Sequence, residues 1–242
     1  MTPAEAPAKV KSPIRSAIAL RPLVYYPESD GEPMAETDVH RDQLIDLLIA
    51  LKDYFRQDQQ VYVAGNLLIY YEEGDAQASV APDVFVVFGV SKEPRRIYKL
   101  WEEGKAPDVA FEITSASTRV QDLGPKKGLY EVLGVREYFL FDPLEEYLAP
   151  PLMGYRLEEK GYRLMEDRPL LSQVLGLELR VEEGRLRLYN QATGRRLPTP
   201  AEEAEARRTA EAHAAEEAKA RRAAEAEVAR LRAELSRLQA AS

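Results

Sequence analysis

The chain contains no cysteine and only two histidines, His40 and His213, in 242 residues. Disulfides and thiolate metal sites are therefore excluded. A histidine-based zinc centre or a histidine-driven nucleophilic triad has almost no material to work with. Any metal would be held by hard oxygen ligands. Long apolar runs are missing too: the longest, such as VFVVFGV at 84–90, are far too short to span a bilayer. The opening MTPAEAPAKVKSPIRSAIAL is broken by prolines and charges and lacks the apolar stretch of a signal peptide, so the expected compartment is the cytoplasm. Nor is there an excess of positive charge, since 33 Lys and Arg face 41 Asp and Glu for a net −8. An acidic chain argues against tight, indiscriminate nucleic-acid binding, but leaves room for a local basic groove or a metal-mediated site.

What is present divides the chain into three parts. Residues 1–21 read as a disordered arm of Pro, Ala, Lys and Ser without periodicity. Residues 22–197 read as one α/β domain, and residues 198–242 as a charged C-terminal helix. Within the domain, a helix is expected over 37–57, capped by Thr37 or Asp38, with Leu44, Leu47, Leu48 and Leu51 on its inner face. Extended segments follow at 61–71, 84–88 and 108–114. In the last, Val109, Phe111 and Ile113 point to one face and Ala110, Glu112 and Thr114 to the other. A second helix is expected in GPKKGLYEVLG, with Pro125 at its first position, Gly134 at its exit and Leu129, Val132 and Leu133 as its inner stripe. The strand REYFLFD at 136–142 then completes a strand–helix–strand unit, which implies a parallel pair. Two hairpins are expected in 155–190, extending the sheet or forming a flap. Beyond Pro198 and Pro200 the expected long helix carries i,i+4 pairs Glu203–Arg207 and Glu217–Arg221. Its only apolar seam is Val228, Leu231, Leu235 and Leu238, a possible short coiled coil for a homo-oligomer.

Two Pro-Asp dipeptides open strands: Pro82-Asp83 before VFVV and Pro107-Asp108 before VAFEIT. The second strand carries Glu112 in an otherwise apolar run, and a carboxylate there is costly unless it has a partner. If 84–88 and 108–114 pair antiparallel, the start of one lies beside the end of the other. Asp83 then falls near Glu112, while Asp108 is at the far end, roughly 13 Å from Glu112 along the strand. Asp83 and Glu112 are thus the candidate metal-binding pair, suited to Mg²⁺ or Mn²⁺ with water and substrate phosphate completing the shell. Lys126 and Lys127 sit in the first turn of the expected second helix, a costly place for cations unless carboxylates or phosphate lie opposite.

The ordered set Pro82-Asp83, Pro107-Asp108-VAFEITSAST, Asp122-LGPKKGLY and GVREYFLFDP resembles the Uma-type family of "putative restriction endonucleases", a branch of the PD-(D/E)XK nuclease superfamily. The resemblance covers about residues 23–197. It implies a restriction-endonuclease-like mixed sheet flanked by helices and a Mg²⁺- or Mn²⁺-dependent cleavage of DNA. Carried over by position, Asp83 and Glu112 match the metal-binding acids. The wider superfamily has a lysine two residues after the glutamate; here that residue is Thr114, and Lys126 is the matching lysine on the following helix. His40 falls where the family tends to have a histidine on the first helix. Fold does not fix function, and a non-catalytic nucleic-acid- or protein-binding module on the same fold is the alternative.

Overall fold

A computed structural model describes residues 24–29 and 37–240; the arm expected over 1–21 lies outside them. The elements run α1 (Asp38–Tyr54), β1 (Val61–Ala64), β2 (Ile69–Tyr70), β3 (Ser79–Val80), β4 (Val84–Phe88), β5 (Tyr98–Lys99), α2 (Leu100–Glu103) and β6 (Val109–Ile113). Then come α3 (Arg119–Gln121), a π-helical turn (Asp122–Lys126), α4 (Lys127–Leu133), β7 (Glu137–Phe141), β8 (Leu152–Glu158) and β9 (Gly161–Leu164). β10 (Leu170–Ser172), β11 (Leu177–Glu182), β12 (Arg185–Asn190) and α5 (Pro200–Ala240) complete the chain. The main sheet is mixed, in the order β1-β4-β6-β7-β8-β9, with β6 and β7 parallel and the other pairs antiparallel. Two three-stranded sheets, β10-β11-β12 and β3-β2-β5, flank it.

The alternation read in β6 separates two cores. Val109, Phe111 and Ile113 join Val84 and Val86 under Leu44, Leu47 and Leu51 of α1 and the leucines of β10–β12. Ala110 joins Phe85, Val87, Tyr138 and Leu140 under Tyr130 of α4 and Tyr98. Period-two alternation gives each face of the sheet its own apolar layer, so a side chain at 112 is forced between sheet and α4.

Several local expectations change. Thr37 caps α1 by accepting from the His40 N–H, but α1 ends at Tyr54. The extended run at 61–71 breaks after β1, because Asn66 takes a left-handed φ of 48° and its N–H reaches Asp83 O at 3.2 Å. Pro125 does not start the second helix; it lies inside the π-helical turn. Proline has no N–H and its ring clashes with the carbonyl four residues back, and a local π widening relieves both. The helical segment therefore begins at Arg119; Leu129 and Leu133 pack inward as expected, but Tyr130 is the buried residue of that face and Val132 is 85% exposed. Gly134 does end it, at φ 80°.

Of the hairpins, β8–β9 extends the main sheet, while β11–β12 joins β10 in a separate sheet over α1. On α5, Arg207 pairs with Glu211 and Arg221 with Glu225, not with Glu203 and Glu217. The start of α5 is fastened by a capping box: the Glu202 N–H donates to Thr199 Oγ1 and the Thr199 N–H to Glu202 Oε2. Among the described residues no helix is long and apolar enough to cross a membrane.

Candidate active site

The β4–β6 register pairs Val84 with Phe111, so one step further Asp83 stands opposite Glu112. The Ile113 N–H donates to Asp83 Oδ2 at 2.6 Å, which locks the carboxylate across the strand pair. Gly65 backs this corner. A Cβ there would lie 2.5 Å from the Asp83 carbonyl oxygen, so only glycine lets the chain pass so close. His40 Nε2 stands 3.5 Å from Asp83 Oδ2, delivered from the first turn of α1.

Glu112 is 1% exposed. An apolar side chain there would gain about 1.5–3 kcal/mol from burial, whereas an unpartnered carboxylate costs more than that. Both of its oxygens are occupied. Lys126 Nζ donates to Oε2 at 2.8 Å and the Tyr130 hydroxyl to Oε1 at 2.6 Å. Lys126 also stands 3.4 Å from Asp122 Oδ1. Asp122, Lys126 and Tyr130 recur every four residues, so one helical face aims all three at the end of β6. Tyr138 anchors that face, its hydroxyl donating to the Asp122 carbonyl at 2.9 Å and its ring meeting Tyr130 edge-on at 5.1 Å.

Asp122 and Tyr130 were not singled out from sequence. The signal was the four-residue spacing with Lys126, hidden because Pro125 reads as a helix start. The side-chain oxygens of Asp122 are buried and accept no hydrogen bond, with Lys126 as the nearby cation. Thr114, in place of the superfamily lysine, is also buried with its hydroxyl unbonded. Lys127 points elsewhere, 4.3 Å over the Tyr155 ring. Asp108 does not join the cluster. It accepts from the Phe88 N–H and pairs with Lys105 and Arg136 at the other end of the strands.

The electrostatics follow from burial. Desolvation pushes Glu112 up to about 8, opposed by the Lys126 ammonium and reinforced by Asp83 and Asp122. Burial likewise raises Asp122, opposed by Lys126. Desolvation works to lower Lys126, but the carboxylates of Glu112 and Asp122 outweigh it and hold it above the ordinary lysine range. Burial thus keeps Glu112 protonated at neutral pH; once it ionises, three carboxylates face one ammonium, a deficit that a divalent cation would fill.

The donors are oxygens only, which suits a hard cation. The carboxylate oxygens without a hydrogen bond are those of Asp122, whereas both oxygens of Glu112 are bonded, so a cation would have to displace Lys126 or Tyr130 or share their oxygens. Among the described residues no set of three or more His, Asp or Glu side chains is close enough to hold a metal together. The protein would thus give one or two carboxylates, Asp83 and Glu112, with water or phosphate oxygens as the remainder.

Comparison with known proteins supplies the context. A structure titled as a putative nuclease belonging to DUF820 from Anabaena variabilis matches with a TM-score of 0.43 and 16% identity, over 59% of this chain and 75% of that one. No curated protein matches. The sequence profile of the Uma2 family, described as "Putative restriction endonuclease", matches residues 20–206. With most of its length matched, and with Asp83, Glu112 and Lys126 brought to one end of the central strands, the chain belongs to the Uma2 family of restriction-endonuclease-like proteins.

Proposed function

We propose that the protein is a Mg²⁺- or Mn²⁺-dependent endonuclease that hydrolyses phosphodiester bonds in DNA. The observation that carries this reading is Glu112, a carboxylate buried in a central strand, bonded by Lys126 and Tyr130 and set opposite Asp83. Asp83 and Glu112 would hold the cation, which when bound polarises the scissile phosphate and lowers the pKa of a water. Lys126 carries the positive charge to the substrate, stabilising the extra negative charge of the transition state. Tyr130 fixes the orientation of Glu112, and Asp122, 3.4 Å from the Lys126 ammonium, helps hold it. His40 orients Asp83. The family description favours nucleic acid as the substrate.

The deciding experiment incubates supercoiled plasmid with the purified chain, with and without Mg²⁺ or Mn²⁺, beside Glu112→Ala. Metal-dependent nicking that disappears in a folded Glu112→Ala protein is expected. Equal cutting by both proteins would refute the assignment. The same reading gives α5 an assembly role. Val228, Leu231, Leu235 and Leu238 remain 47–64% exposed along one seam, where a second copy would cover them.

A further inference from the structure

A groove of about 530 Å³ runs along β1, the outer strand of the main sheet. Four cations line it and no acidic side chain does: Lys52 and Arg56 from the end of α1, and Lys92 and Arg95 from the segment after β4. That is a local reversal in a chain of net charge −8. One end of the groove reaches Gly65, which lies against the Asp83 carbonyl. The groove therefore leads directly to the corner that holds the candidate site. From Val61 to Gly65 it follows about 13 Å of strand, close to the axial rise of about four nucleotides of one DNA strand.

The four cations are not equivalent. Lys92 donates to the Phe55 carbonyl, and Arg95 pairs with Glu103 at 2.6 Å while standing 4.2 Å over the Tyr62 ring. These two are held in place and form a fixed wall. Lys52 is exposed and makes no ion pair among the described residues. Arg56 is exposed, with only Asp53 at 3.5 Å. Near the end of α1, Lys52 also complements the helix dipole, but this does not explain why four cations from two segments share one groove. As an outer strand, β1 turns part of its backbone N–H groups away from the sheet, which adds neutral donors.

We propose that this groove binds the phosphates of one DNA strand next to the scissile bond, with Lys52 and Arg56 as its mobile contacts. The inference rests on the nuclease reading above and names where its substrate lies. It also reconciles an acidic protein with a polyanionic ligand: attraction is confined to the path that leads to Asp83.

The test measures binding of a fluorescent DNA duplex by anisotropy over a range of salt. It uses the full chain carrying Glu112→Gln, so that binding is read without cleavage. Lys52→Gln/Arg56→Gln and Lys52→Glu/Arg56→Glu are added to that background, with Arg221→Gln/Arg222→Gln on α5 as control. The groove pairs should weaken binding about 10- to 100-fold and lower the slope of log K against log salt by about 2, near 0.9 for each phosphate no longer neutralised. The control should change neither. Both groove positions are exposed, so the glutamine pair keeps the fold, which a thermal melt verifies. An unchanged affinity and slope in the glutamine pair, with cleavage by the wild type intact, overturns the groove alone. If neither the wild type nor Glu112→Gln binds duplex, the nuclease reading falls and takes the groove with it.

Discussion

The two Pro-Asp dipeptides sit at opposite ends of one antiparallel strand pair and do the same local job. Asp83 accepts the Ile113 N–H and Asp108 accepts the Phe88 N–H, each stapling its own strand to the neighbour. Their surroundings differ. Lys105 at 2.8 Å and Arg136 at 3.6 Å neutralise Asp108, and the buried acid on the next strand, Glu137, has its own partner in Arg156. Asp83 has Glu112 and Asp122 in its field, with one lysine and the imidazole of His40 to offset all three. One end of the strand pair is electrostatically complete and the other is in deficit. A local motif therefore does not say which copy is chemical; the charge balance contributed by distant elements does.

The largest effect should separate the two ends directly. Glu112→Gln is expected to lower DNA cleavage by at least about 10³-fold, since it removes a ligand to the cation and the partner of Lys126. Asp108→Asn should leave the cleavage rate within a few-fold and instead cost about 1–2 kcal/mol in urea unfolding, because the Phe88 N–H loses a charged acceptor while the half-exposed Lys105 and Arg136 return to water. Paired rate and stability measurements on both variants would break the comparison if the losses came out interchanged.

Next in size is the lysine. Lys126→Ala should lose about 10²-fold in kcat. Lys127→Ala should lose less than about three-fold, because its ammonium lies over Tyr155 and not at the carboxylates. Equal losses in single-turnover rates would count against a catalytic lysine on the helix. Asp122→Asn ranks third, at about 10-fold. The neutral amide no longer attracts the Lys126 ammonium, and Mg²⁺ affinity by calorimetry should change less than with Glu112→Gln.

A fourth measurement reads the charge deficit itself. Glu112 is held at about 8, so between about pH 5 and pH 8 the folded state keeps a proton that the unfolded state has released. Stability of metal-free protein should fall as pH rises through that window, by a few kcal/mol. Glu112→Gln should flatten the profile, and added Mg²⁺ should restore stability at the alkaline end. A profile that rises with pH in that range would mean the site is already neutralised.

The smallest effect concerns α5. Stopping the chain after Arg208 should leave the melting temperature almost unchanged. Stopping after Arg196 removes the Thr199–Glu202 box and the ion pairs of Glu202 with Arg196 and Arg187, and should cost about 1–2 kcal/mol. Light scattering on both forms would show whether the seam from Val228 to Leu238 joins two copies.

The sequence by itself determined the central strands β4, β6 and β7 and the two faces of β6, because alternation of apolar residues is a local record of a sheet with two covered sides. It also determined that Asp83 meets Glu112, since antiparallel pairing of two short runs fixes which ends coincide. The family resemblance located Lys126. Tertiary structure alone decided the rest. Pro125 reads locally as a helix start, but packing of Tyr130 and Tyr138 carries the helix back through it as a π turn. That brings Asp122 into the cluster. The exposure of Val132 depends on which helical face meets the sheet, and widening at the π turn resets that phase. The basic groove unites residues some forty positions apart, and net charge, being a sum over the chain, carries no trace of where its cations gather.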